Sequence, residues 1–133
     1  MLRLFTQTFV VAWLTFGLWT SRQELLGQDR AFLGWVSDER CARGRAQGDD
    51  PVYTGTNPDC ARRCVREGRK IVLIVPDQKR ILDIENQDAV RDRIGDYVEV
   101  SGHMDIQKHI LHVSSIKLIT EGRPMCDPPR KNN

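Results

Sequence analysis

The centre of the chain reads IVLIVPDQKRILDI, from Ile71 to Ile84. Its first five residues form an unbroken run of branched apolar side chains, which predicts a strand covered on both faces. The Pro-Asp-Gln stretch that follows is typical of a turn, and residues 80–84 then predict a returning strand. This hairpin indicates a mainly β domain, to which the flanking segments add further elements.

On the N-terminal side, residues 31–37 predict a first strand, in which Gly34 permits a bend or a close approach. Residues 38–57 are polar and rich in glycine and proline, which predicts a long loop. Residues 58–67 then predict a short helix, capped by Thr56 or Asn57 and ended by Gly68. Helical spacing directs one set of its side chains towards the core and another towards water. The inward set is Cys60, Ala61, Cys64 and Val65, and the outward set is Arg62, Arg63 and Arg66.

On the C-terminal side, Asn86 is expected to cap a second short helix, which Gly95 ends. Residues 97–101 and 110–119 predict two more strands, joined by a turn over residues 102–108. The inward positions of the last strand change parity at Ser114-Ser115, which predicts a β-bulge. Five strands, with a cysteine-bearing helix in the first loop and a short helix between strands three and four, predict an OB-fold-like β-barrel. A small α+β domain with an open antiparallel sheet is the alternative.

The first residues of the chain are typical of an export signal. Arg3 precedes an apolar run over residues 9–19, which is too short to cross a bilayer as a helix. We therefore expect a signal peptide at 1–27, an OB-fold-like domain at 28–120 and an irregular tail at 121–133. The protein would then be secreted or periplasmic. A buried or interfacial helix and an uncleaved membrane anchor are the alternatives.

Charge and motifs exclude several classes of function. The net charge is +2, and it falls to +1 without residues 1–27, so no strong field would attract nucleic acid or anionic lipid. No Gly-rich phosphate loop, nucleophile elbow or H-E-x-x-H motif occurs, so we expect neither an enzyme nor a cofactor. Nucleic acid is also not expected as a partner, since few aromatic rings follow the export segment. They are Phe32, Trp35, Tyr53 and Tyr97.

One pattern in the sequence resembles a known group of proteins. Its parts are Gly34-Trp-Val-Ser-Asp38, Cys41, Asp59-Cys-Ala-Arg-Arg-Cys64, Asn86-Gln87 and Gly95-Asp-Tyr-Val-Glu-Val-Ser-Gly102. The pattern resembles that of small exported bacterial OB-like proteins, over residues 31–119. The resemblance implies the fold and export, and it implies no reaction.

Four cysteines, at 41, 60, 64 and 126, follow the export segment. An even number of cysteines in a small exported chain predicts disulfides, with three complete pairings possible. The favoured bond joins Cys41 to one of the two helix cysteines. A soft-metal site for copper(I) or zinc at Cys60 and Cys64 is a second interpretation, and thiol–disulfide exchange is a third.

The favoured function is a non-enzymatic binding module of the cell envelope. Its unknown ligand or envelope partner would contact the long first loop and the turn at residues 104–108. The candidate contact residues are Tyr53, Arg62, Arg66 and Met104. The rival function is copper or thiol-redox handling by Cys60 and Cys64. The three histidines, at 103, 109 and 112, are expected to be solvated.

Overall fold

The computed structural model describes residues 29–123, so the predicted export segment and Cys126 lie outside the described residues. Within residues 29–123, five strands and two helices follow one another. They are β1 (Arg30–Asp38), α1 (Glu39–Ala46), α2 (Pro58–Arg66), β2 (Ile71–Val75), β3 (Arg80–Ile84), β4 (Tyr97–Asp105) and β5 (Ile110–Thr120). Neither helix within residues 29–123 has the length and apolar character that a membrane crossing requires.

The five strands form one mixed sheet whose hydrogen bonding runs in a ring. The strand order is β1-β2-β3-β5-β4, and β4 pairs with β1 to complete the circuit. Every neighbouring pair is antiparallel except β3 and β5, which are parallel and share only two residue pairs. The predicted mainly β class is thereby confirmed.

Strand β2 is buried on both faces, as its continuous apolar run predicts. Ile71, Leu73 and Val75 belong to the main core inside the ring. Val72 and Ile74 point the other way and pack in a second cluster with Ala42 of α1, Trp35 and Tyr53. The long first loop therefore covers the outer face of β2.

The prediction that residues 38–57 form only a loop is wrong, because α1 occupies Glu39–Ala46. Asp38 caps this helix, Glu39 lies in its first turn, and Arg43 and Arg45 lie in its last, which complements the helix dipole. Ala42 is its only buried residue. With so few apolar positions, the helix has almost no hydrophobic periodicity by which a sequence pattern could reveal it.

The predicted second helix is also different in the structure. Two short 3-10 turns, Gln87–Ala89 and Arg91–Arg93, replace it. The Asn86 side chain does not cap the first turn. Its amide instead bonds the backbone of Val113, donating to the carbonyl at 2.8 Å and accepting from the N–H at 2.8 Å. Asn86 thus joins this segment to β5.

Strand β4 is longer than predicted and runs to Asp105, so the turn before β5 is confined to residues 106–109. The predicted β-bulge in β5 is confirmed. Ser101 pairs with Ser115, whereas Gly102 pairs with Val113, and Ser114 is the extra residue. Gly34 makes the close approach expected of it, since a Cβ there would lie 2.3 Å from the carbonyl oxygen of Ile74.

Candidate functional site

Asp38 lies where β1 ends and α1 begins, and its side chain is fully buried. Its Oδ1 accepts a hydrogen bond of 2.9 Å from the backbone N–H of Cys41. Its other oxygen, Oδ2, is buried without a hydrogen-bond partner. Among residues 29–123, no lysine, arginine or histidine forms an ion pair with Asp38. Burying a carboxylate oxygen without a hydrogen-bond partner costs free energy, so Asp38 is a candidate functional residue.

Two cysteines from different helices meet beside Asp38. Cys41 is the third residue of α1, and Cys64 lies on the inward face of α2 with 9% of its surface exposed. The two Sγ atoms and a carboxylate oxygen of Asp38 all lie within 4.8 Å of one another. No disulfide joins any two cysteines of the described chain.

The surroundings of Cys41 keep its thiol protonated at neutral pH. Burial, followed by the charge and hydrogen bonding of Asp38 and then by Cys64, raises the pKa of the Cys41 thiol to about 11. Thiol–disulfide exchange needs a thiolate at working pH, which these surroundings disfavour. A metal ion bound to the Cys41 sulfur would lower the pKa of this thiol, because a metal ion stabilises a coordinating thiolate.

Cys60 lies outside this cluster, although it is only one helical turn from Cys64. It is half-buried, and the Arg63 guanidinium lies 4.0 Å from its sulfur. The helix face predicted from spacing is otherwise as expected, with Ala61, Cys64 and Val65 buried. The structure therefore pairs Cys64 with Cys41, whereas the predicted metal site uses Cys60 and Cys64.

Side-chain contacts hold the first loop against the sheet around this cluster. Arg43 forms an ion pair of 2.5 Å with Asp83 on β3, and Arg45 donates 2.8 Å hydrogen bonds to the carbonyl of Gly55 and the hydroxyl of Thr54. Buried Ser37 also hydrogen-bonds Thr56. These contacts tie α1 and the following loop to β1 and β3, so Cys41 is held at a defined position.

The chemistry of the three side chains limits what the cluster can bind. Two thiols and one carboxylate are ligands for a thiophilic cation such as Zn²⁺, whereas Ca²⁺ and Mg²⁺ require oxygen ligands throughout. Among residues 29–123, this is the only group of three such side chains close enough to share one ion. No histidine contributes to it.

A second feature is a groove between the end of the first loop and the β4–β5 turn, lined by both charged and apolar side chains. Its larger part has a volume of about 470 Å³ and is lined by Gly68, Arg69 and Lys70 on one side. Glu85 and Ile110 line both this part and an adjoining one of about 240 Å³, which reaches His103 and Lys108. The two parts together run from the exit of α2 to the β4–β5 turn.

The predicted ligand-contact residues do not come together in the structure. Arg62 and Arg66 are exposed on α2, while Tyr53 packs in the outer cluster against β2. Met104 packs against the main core. None of the four lines either part of the groove. The sequence does not distinguish the groove residues, because glycine, arginine and lysine at a helix exit are also typical of a solvated charged surface.

The histidines are exposed, and two of them face each other. His103 and His112 pair across β4 and β5, and His112 Nδ1 lies 2.9 Å from a carboxylate oxygen of Glu85. His109 occupies the tight turn, with a φ of 57°.

Comparison with known proteins adds no relative: no family model, curated protein or solved structure matches this chain.

Proposed function

We propose that this chain is an exported, non-enzymatic binding module of the cell envelope, with an OB-fold-like barrel as its scaffold. The strand order β1-β2-β3-β5-β4, with β4 returning to β1, is that expected of an OB barrel. The apolar run near Arg3 supports export.

The observation that carries the proposal is the position of the groove. OB barrels bind ligands across strands two and three, between the loop after strand one and the loop before strand five. The groove overlaps this region at the end of β3, since Arg69 and Lys70 end the first loop, Asp83 and Glu85 lie at and just after the end of β3, and Lys108 belongs to the β4–β5 turn.

The charges in the groove favour an acidic ligand. Its three carboxylates are already engaged, Asp83 by Arg43 at 2.5 Å, Glu85 by His112 at 2.9 Å and Asp105 by Lys108 at 3.7 Å. Within the described chain, by contrast, Arg69 and Lys70 have no carboxylate within ion-pair distance. The lining of the groove includes no phenylalanine, tyrosine or tryptophan ring on which a base or sugar could stack. We infer that the ligand is an acidic peptide segment of an envelope partner.

Charge reversal in the groove tests this proposal. The protein, labelled with ¹⁵N, is titrated with a glutamate-rich decapeptide, and amide shifts are expected at residues 68–70 and around Glu85. The double variant Arg69→Glu, Lys70→Glu should weaken binding about tenfold or more, because like charges then oppose the peptide. Binding should also weaken with added salt.

The matched control is Arg62→Glu, Arg66→Glu, which makes the same change of charge on the exposed face of α2. It should bind the decapeptide within about twofold of the unaltered protein, apart from the general effect of net charge. Equal loss of binding in both double variants, or no shifts in the groove, would overturn the proposal.

A further inference from the structure

The strongest unexplained feature of the molecule is the orphaned carboxylate oxygen beside two thiols. Asp38 is fully buried, and its Oδ2 has no hydrogen-bond partner. The backbone N–H of Cys41 donates its hydrogen bond to the other oxygen, Oδ1. Buried charges in proteins are paired or coordinate metals, and no lysine, arginine or histidine among residues 29–123 forms an ion pair with Asp38.

We propose that Asp38, Cys41 and Cys64 form a binding site for Zn²⁺, with two thiolates and one carboxylate as ligands. The site is independent of the groove and of its ligand.

The spacing of the three donors suits this ion. Zinc binds sulfur at about 2.3 Å and carboxylate oxygen at about 2.0–2.2 Å, so two sulfurs of a tetrahedral site lie about 3.8 Å apart. The donors of this cluster lie within 4.8 Å of one another. A shift of about 1 Å or less, within the reach of side-chain rotation, therefore brings them onto one ion.

The mixed donor set selects among metals. Copper(I) prefers thiolate and thioether ligands, whereas zinc takes sulfur and carboxylate oxygen in the same site.

Each thiol releases its proton to solvent on binding, so two thiolates and one carboxylate around Zn²⁺ leave a net charge of −1. The positive N-terminus of α1, where Cys41 lies, offsets part of this charge. The fourth tetrahedral position is left for a water molecule.

A disulfide between Cys41 and Cys64 would serve Asp38 less well. A disulfide has no proton to donate, so Oδ2 would stay buried without a hydrogen-bond partner. The two sulfurs would also no longer be thiols that can bind a metal ion. A zinc ion satisfies both sulfurs and the free oxygen together. The burial of Asp38 therefore favours the metal over the bond.

Cobalt substitution tests the site directly. The protein is reduced, stripped with a chelator and titrated with Co²⁺ and then with Zn²⁺. We expect thiolate-to-cobalt charge-transfer absorption together with the visible bands of a tetrahedral ion, both lost when Zn²⁺ displaces Co²⁺ at one equivalent.

Four variants assign the ligands. Cys41→Ser and Cys64→Ser should each abolish the charge-transfer band or reduce it to that of a single thiolate, whereas Cys60→Ser should leave the spectrum and affinity unchanged. Asp38→Asn keeps a good N-cap residue for α1 and removes the charged ligand, so it should weaken Zn²⁺ binding about tenfold or more while the circular dichroism spectrum is kept. The proposal is overturned if reduced protein shows no charge-transfer band, or if Cys60→Ser removes it as fully as Cys41→Ser.

Discussion

Replacing Leu73 by alanine should lower the free energy of unfolding by about 2–5 kcal/mol, because it opens a cavity at the centre of the core. Leu73 is fully buried at the middle of β2, in the main core. It pairs with Val36 on β1 and with Leu82 on β3, both also fully or almost fully buried. Strands on both sides hold the backbone in place, so the cavity cannot collapse and its full cost remains.

Urea unfolding, followed by far-ultraviolet circular dichroism, measures this change. The control is Ile106→Ala, which removes the same number of carbon atoms from a turn residue that is 61% exposed. That variant should stay within about 0.5 kcal/mol of the unaltered protein. Equal losses at Leu73 and Ile106 would contradict the placement of β2 at the centre of the core.

Gln87→Ala should cost about 2–4 kcal/mol, because one side chain completes the hydrogen bonding at the end of two strands. The Gln87 amide oxygen accepts from the N–H of Ile71 at 2.6 Å, and its nitrogen donates to the carbonyls of Ile71 and Ile84 at 3.0 and 2.6 Å. Ile71 lies beyond the last backbone pair of β2 and β3, which joins Val72 to Asp83. Gln87 thus replaces a strand residue at this point.

Two further variants make the Gln87 prediction specific. Gln87→Glu keeps the shape but removes the donor, so it should be at least as destabilising as Gln87→Ala at neutral pH. Gln107→Ala removes an exposed amide and should change stability by less than about 0.5 kcal/mol. Thermal unfolding compares the three, and a Gln87→Glu variant as stable as the unaltered protein would refute the role of the donor.

Elements with strong apolar periodicity could be predicted from the sequence. The β2–β3 hairpin, α2 and the bulge at Ser114 are predicted from a continuous apolar run, from helical spacing and from local alternation, and all are present. Helix α1 could not be found this way, since it buries only Ala42 and is held by its cap and by arginine contacts. The same holds for Asn86 and Gln87, whose amides bond backbone groups distant in the chain.

The candidate site shows where sequence spacing stops being informative. Spacing along α2 places Cys60 and Cys64 on nearby positions, so it favours a site built from these two. The partner of Cys64 is instead Cys41, and their proximity depends on α1 and on the way the first loop folds over the sheet. Asp38 could have been recognised as a helix cap before Cys41, but its burial follows only from the pairing of β1 with β2.

The central claim is that the end of β1, α1 and α2 bring two sulfurs and one carboxylate onto a single zinc ion. X-ray absorption at the zinc edge of the loaded protein measures the ligands without reference to any variant. The account predicts two sulfur neighbours at about 2.3 Å and two oxygen neighbours at about 2.0–2.2 Å. A shell of four sulfurs, or one of oxygen and nitrogen alone, would contradict it.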